Sequence, residues 1–150
     1  MTAPIHIRPA TAAEVINLRH VVLRAGLPRS TAVFAGDEDP AARHFVAVAE
    51  EGAIVGCVTL HPSAFEGEPA WQLRGMAVAP ALQGMGIGKL LLAAVERSVA
   101  ADLLPRPLWC NARVPASGFY QNHGWIIVSD IFDVPSAGPH VRMMRPLSVR

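Results

Sequence analysis

Thirteen prolines are spread along this chain of 150 residues, and they set the first limit on its fold. A proline inside a helix removes a backbone donor and clashes with the preceding turn. A long uninterrupted helix is therefore closed to the chain, which must be assembled from short elements. The length suits one domain whose core needs no disulfide or metal to hold it. Apolar residues make up 51% of the sequence and charged residues 17%, a balance that excludes disorder. The formal net charge is +1, from 13 basic and 12 acidic residues, with no block of like charge. The broad basic surface of a nucleic-acid binder is missing, as is the basic amphipathic helix of a membrane-surface protein. The most apolar segment, Leu90–Leu104, is broken by Glu96, Arg97 and Asp102 and cannot span a bilayer.

Cys57 and Cys110 lie far apart, and neither has a second ligand at zinc-site spacing, so no metal is expected. Both sit in apolar runs and read as reduced and buried. Met1–His6 has no basic region followed by an apolar stretch, so no signal peptide is expected and a cytoplasmic location is.

His6-Ile-Arg8 reads as a short first strand. Thr11 and Glu14 form a capping-box pattern, and Val15, Leu18, Val22 and Leu23 follow at helical spacing until Gly26 and Pro28. Residues 29–43 read as irregular or partly helical, with Asp37-Glu38-Asp39 on a solvated loop. Residues 44–50 and 53–60 predict a hairpin turning at Glu51-Gly52. Residues 71–78 predict a strand whose Gly75 marks a bulge or the close approach of another backbone. Ala79-Pro80 ends it, and a helix follows the glycine-rich stretch, with Leu91, Leu92, Val95 and Val99 on its apolar side. Residues 108–112 predict a fifth strand. Pro115 and Gly124 bracket a short helix. Residues 125–128 and 140–145 predict a last pair of strands around a Pro/Gly loop. The order is α+β with a mixed sheet, not a doubly wound parallel sheet.

Gln83-Gly-Met-Gly-Ile-Gly-Lys89 sits between a strand and a helix. Glycines there let a ligand approach the backbone, and the next helix opens with free N–H groups suited to phosphate. A P-loop would need Gly at position 83 and Ser or Thr at position 90, where this chain has Gln and Leu. A dinucleotide fingerprint would need Gly at position 89 and a location at the start of a βαβ unit. Ala116-Ser-Gly118 lacks the first glycine of a nucleophile elbow. Instead, residues 83–88 resemble the Gln/Arg-x-x-Gly-x-Gly/Ala signature of the GCN5-related N-acetyltransferase (GNAT) superfamily. Arg74-Gly-Met-Ala-Val-Ala-Pro80 looks like the strand leading into it. Ala116-Ser-Gly-Phe-Tyr-Gln-Asn-His-Gly-Trp125 is similar to the family's Ala-x-x-x-Tyr-x-x-x-Gly-Phe segment. The likeness extends over about residues 5 to 147.

That resemblance implies one GNAT-like domain over residues 1–150. Its fold would be a mixed, mostly antiparallel sheet splayed between strands 4 and 5 and flanked by about four helices. It implies acetyl-CoA as cosubstrate and a small-molecule or peptide amine as acceptor. By matching, Met85, Gly86, Gly88 and Lys89 would grip the pyrophosphate through their N–H groups, with Ile87 among them and Gln83 and Gly84 shaping the loop. The pantetheine arm would lie along Met76, Ala77 and Val78, and the Val78 N–H would polarise the thioester carbonyl. Tyr120, the one tyrosine in the chain, stands at the family's general-acid position. The competing role for it is a core tyrosine, with sulfur then taking its proton from solvent. Asn111 would bond the pantetheine amides, and Arg113 is either a phosphate partner or simply exposed. Many relatives carry a glutamate base about where Gln72 stands, and a glutamine accepts no proton. Glu66, Glu68, His61, His123 and His140 remain as candidates, as does a base acting through water. A homodimer is compatible with the apolar content. The alternative is an acyl-CoA-binding regulatory module without catalysis, for which Gln72 is the best support. A nucleotide-binding hydrolase is the poorer rival.

Overall fold

The computed structural model describes residues 4–146. The reading of the N-terminus rests partly on Met1–Ala3, which lie outside the described residues. The single domain expected over 1–150, and the likeness that reaches residue 147, also run past them. The strands are β1 (His6–Ala10), β2 (Arg43–Val48), β3 (Ile54–Pro62), β4 (Trp71–Val78), β5 (Leu108–Arg113), β6 (Ile126–Ile127), β7 (Phe132–Val134) and β8 (Gly138–Arg145). The helices are α1 (Ala12–Leu23), α2 (Ile87–Ala100) and α3 (Ser117–Gln121). The hydrogen-bonded order is β1-β2-β3-β4-β5-β8-β6, with β7 also on β8. The chain divides into two compact units, one running to His61 and resuming over Arg74–Leu103, the other taking Pro62–Leu73 and residues from Leu104 onward. Strand β4 belongs to both. No helix among the described residues is long and apolar enough to cross a membrane.

In the first unit β1, β2 and β3 are antiparallel. The β2–β3 hairpin turns where expected, with Glu51 and Gly52 both at positive φ. Side chains on a strand alternate between faces. Val46, Val48 and Cys57 pack with Val15, Leu18 and Val22 of α1. Gly56, opposite Ala47 in the ladder, faces Ile87 and Leu91 of α2. Helices thus cover both faces, which is why the hairpin reads as continuous apolar runs rather than as an alternation. Gly56 sets the closeness of α2, since a Cβ there would lie 3.0 Å from both Ile87 and Leu91.

Helix α1 starts as its capping box requires. The Thr11 N–H donates to Glu14 Oε1 at 3.0 Å, and Arg8 donates to Glu14 Oε2 at 2.7 Å. The Arg8 guanidinium, helped by the Thr11 N–H, holds the Glu14 carboxyl down to about 2. Four residues after Val15, on the same apolar stripe, α1 carries the fully buried Arg19. Its guanidinium donates to Asp37 Oδ2 at 2.7 Å and Oδ1 at 3.0 Å, to the Ala32 carbonyl at 2.9 Å and to Thr59 Oγ1 at 2.8 Å. His44 joins Thr59 Oγ1 and the Asp37 carbonyl. The acidic run 37–39 was expected to be solvated, and for Asp37 that expectation fails, because Arg19 and the Phe34 N–H satisfy its carboxylate inside the protein.

In the second unit β4 and β5 are parallel at Trp71↔Leu108 and Gln72↔Trp109. Strand β5 then runs antiparallel to β8 over its whole length. Trp71, Trp109 and Trp125 are all buried, and Trp109 Nε1 donates to the Ser63 carbonyl at 2.9 Å. Strand β7 falls in the expected Pro/Gly loop, where three residues extend against β8 and give no sequence signal of their own. Three α-helices and four 3-10 turns stand among the described residues, where about four helices were expected. Pro115 opens one of these turns, Val114–Ala116, which runs into α3. Cys57 and Cys110 are free and buried, and burial pushes their thiols up to about 11 and about 12.

Burial raises the pKa of Asp37, but the Arg19 and Phe34 hydrogen bonds outweigh it and hold the carboxyl below the ordinary 3.8. Stability from this pair is therefore present at neutral pH and lost as pH falls through that depressed pKa. Asp37→Asn strands the Arg19 charge and is expected to cost about 3–5 kcal/mol in urea unfolding at pH 7. The variant should also lose part of the acid dependence below about pH 4. Unchanged unfolding at both pH values would contradict the role given to the pair.

Candidate functional site

The candidate loop follows β4 without interruption. The Ala79 N–H donates to the Val55 carbonyl of β3 at 2.8 Å. Amide directions alternate along a strand, so the Val78 N–H, one residue earlier, points to the other edge of β4. A 3-10 turn over Pro80–Leu82 then redirects the chain. Gln83 Nε2 donates to the Val78 carbonyl at 3.1 Å, which ties the loop to the strand end.

Gly84 and Gly86 have φ of 81° and 87°, in the left-handed region where a side chain is strained. A Cβ at either would meet no heavy atom within 4 Å. Backbone conformation, not crowding, is therefore what requires glycine there. Gly86 is the N-cap of α2 and offers no side chain to cap it. The first hydrogen bond into the helix is from Leu90 N–H to the Gly86 carbonyl, at 3.2 Å. The N–H groups of Gly86, Ile87, Gly88 and Lys89 therefore have no carbonyl partner within the helix. The first turn carries no acidic residue, and residues 83–86 and Lys89 are exposed. Ile87 is buried and anchors the turn over Gly56. The arrangement offers convergent backbone donors at a positive helix end to an anion.

Met76 and Val78 are half-buried and Ala77 is buried in the α1-side core. At Gly75 the expected close approach of another backbone is made by side chains instead. A Cβ at Gly75 would lie 2.7 Å from Arg19 Nε and 3.1 Å from the Phe34 ring, and φ there is 64°.

Tyr120 and Asn111 belong to the second unit. Tyr120 is buried on α3, with ring centroids 5.2 Å from both Phe119 and Trp125. Burial, with Cys110 nearby, pushes its phenol far above the ordinary tyrosine range. The hydroxyl therefore holds its proton at any working pH. Asn111 is exposed on β5, and its Oδ1 accepts from Arg142 Nε at 3.1 Å. Strand β5 continues past it to Arg113, which pairs in register with His140.

The candidate bases have different surroundings. Glu66 and Glu68 are exposed around a tight turn closed by Phe65 and Glu68. His140 is buried with Nδ1 at 2.8 Å from the Gly138 carbonyl, and His123 Nδ1 lies 2.7 Å from the Phe119 carbonyl. Gln72 is half-buried on β4. His61, at the end of β3, is the one in the first unit. Its ring covers Gly36, where a Cβ would collide with it, and Nε2 lies 4.0 Å from Asp39 Oδ2. Burial, then Arg74, lower its pKa against the opposing pull of Asp39 and Asp37, so the imidazole is neutral at pH 7.

Sequence reading missed Arg19 and Phe34. A charged residue on the apolar stripe of α1 was the available signal for Arg19. Phe34 gave none.

Residues 40–127 match the family described as acetyltransferase (GNAT) domain. The chain is 24% identical over 146 residues to the uncharacterized N-acetyltransferase YitI of Bacillus subtilis, covering 95% of this chain and 97% of that one. Its fold is similar to that of Escherichia coli ElaA, with a TM-score of 0.78 at 19% identity over 95% of this chain and 100% of the other. It is likewise similar to an aminoglycoside 6'-N-acetyltransferase solved with coenzyme A, with a TM-score of 0.75 at 16% identity over 97% and 98% of the two chains.

The two kinds of glycine separate in a test. Gly86→Ala meets open space, so strain at positive φ alone is expected to cost about 1–2 kcal/mol in urea unfolding. Gly56→Ala must displace α2, and is expected to cost about 1–3 kcal/mol by overpacking and to alter the α2 methyl resonances, which Gly86→Ala leaves in place. Equal spectral change in both variants would contradict this assignment.

Proposed function

Because the chain belongs to the acetyltransferase (GNAT) family of acyl-CoA-dependent N-acyltransferases, we propose that it moves an acetyl group from acetyl-CoA to a primary amine by direct transfer. The observation that carries this reading is the uncapped start of α2, tied through Gln83 to the end of β4. Met85, Gly86, Gly88 and Lys89 supply N–H groups to the pyrophosphate, with Ile87 as the buried anchor and Gly84 giving the turn. The pantetheine arm adds along Met76, Ala77 and Val78 in the manner of an extra strand. A Val78 N–H directed away from β3 supports that placement. Asn111, already held by Arg142, contributes to the pantetheine amides. In this reading residues 1–150 work as one domain.

The neutral amine attacks the thioester carbon, and the carbonyl oxygen becomes an oxyanion that the Val78 N–H stabilises. The C–S bond then breaks and coenzyme A leaves as a thiolate. Tyr120 gives that sulfur its proton, and the nitrogen, which must shed one proton to become the amide, returns a proton to the Tyr120 phenolate directly or through water. A deeply buried phenol is in the protonated state that a general acid needs, and the same dry surroundings make the thiolate more basic. With glutamine at position 72, His61 is the base of this reading. It takes the proton of the incoming ammonium, directly or through water, with Asp39 beside it.

A thiol-release assay over an amine panel, paired with calorimetry of coenzyme A, tests the proposal. Binding with turnover is the expected result. Binding without turnover on any amine would favour the regulatory module, and no binding at millimolar concentration would remove both. Tyr120→Phe is expected to lower kcat by about a hundredfold or more with coenzyme A affinity kept. Full turnover in that variant would take Tyr120 out of the mechanism. The rate should rise with pH through a pKa below the ordinary histidine value of 6.5 and be flat above pH 7. His61→Gln should abolish that acidic limb, and an unchanged profile would exclude His61.

A further inference from the structure

Arg8 pairs with the carboxylate of Glu14, Arg19 with Asp37 and Arg43 with Asp102. Arg74 differs. It is half-buried on β4, yet no carboxylate among the described residues lies within ion-pair distance of it. Its Nη2 donates to the Ala35 carbonyl at 2.7 Å, while its Nε is buried with no hydrogen-bond partner. The guanidinium lies 5.8 Å from the centre of the Phe34 ring, which Arg19 also covers at 4.0 Å and Arg24 at 5.3 Å. Asp37 is the nearby carboxylate, and Arg19 engages both of its oxygens.

A partly desolvated cation without a counter-ion is costly, and the cost falls when an anion completes the pair. The net charge of the whole chain is only +1, so this surplus is local. Within the same unit Arg74 bonds the Ala35 carbonyl, one residue before the Gly36 that the His61 ring covers, and Asp39 Oδ2 stands 4.0 Å from His61 Nε2. A fork of guanidinium donors and a neutral base with a carboxylate beside it thus share one patch around Gly36 and Phe34. The first suits an anionic group and the second an amine.

We propose that the acceptor is a small amino-carboxylate, a free amino acid in chemical class, whose carboxylate is held by Arg74 while its amine faces His61. This rests on the acetyl-transfer reading and adds the acceptor class to it. Arg74 is then a substrate-binding residue. Its planar fork matches a carboxylate at two points, which a lysine would not reproduce.

The test compares free amino acids with their carboxamides, matched side chain for side chain, in the thiol-release assay. In the wild-type protein at least one free acid is expected to exceed its amide by about tenfold or more in kcat/KM. Arg74→Gln should bring that acid down toward its amide, mainly through KM, with a much smaller loss on the amide. Coenzyme A affinity by calorimetry should stay within about twofold of wild type, and Arg74→Lys should fall between the two. Parity of acid and amide in the wild-type protein overturns the proposal even if the variants do not fold. An equal loss on acid and amide in Arg74→Gln also overturns it, as does wild-type turnover of simple amines alone. Failure to bind coenzyme A is a separate result, which overturns the acetyl-transfer reading and this proposal with it.

Discussion

The interior of the first unit depends on one buried guanidinium. Arg19 reaches from α1 to Asp37, to the Ala32 carbonyl and to Thr59 on β3, and His44 on β2 completes the set. One side chain thereby fixes residues 29–40, a stretch with a single 3-10 turn and few apolar anchors of its own. A buried pair of this kind is weak evidence for added stability, because desolvation consumes most of the attraction. Its consequence is positional. Once Arg19 is placed, Phe34 lies flat over it, and β4 accommodates both because residue 75 is a glycine. Phe34, Gly36, His61 and Arg74 take their places from that arrangement.

The second constraint is the path from β4 into α2. Gly56 brings α2 down onto the hairpin, Ile87 anchors its first turn, and Gln83 ties the preceding loop to Val78. Each of these contacts is made by a residue on the protein side of the loop. The donors left over lie at a helix start with no acidic side chain to compete. A chain with a net charge of +1 can in this way offer an anion site without a basic surface.

Much of this was legible in the sequence. Residues 71–78, the turn at Glu51-Gly52, the capping box and the apolar face of α2 could all be read because local chemistry alone decides them. The glycine loop was readable for a different reason, since two positions at positive φ leave a pattern that few residues other than glycine satisfy. What escaped depends on contacts distant in the chain. Asp37 looked like any acidic loop residue, and only Arg19, 18 positions earlier, makes it a core group. Gly75 was marked as a bulge or the close approach of another backbone, and the sequence does not say that the Arg19 and Phe34 side chains approach there instead. That no carboxylate among the described residues pairs with Arg74 is equally invisible, since it is a fact about neighbours. Strand β7 needed β8 to exist at all.

The central claim is that backbone amides of residues 85–89 hold the pyrophosphate of an acyl-CoA. Backbone amide shifts followed by nuclear magnetic resonance during a coenzyme A titration test it most directly. The account predicts that the Met85, Gly86, Gly88 and Lys89 amides move furthest, downfield and in saturable fashion, and that adenosine without phosphates leaves them in place. Saturable binding with those four amides unmoved would contradict it.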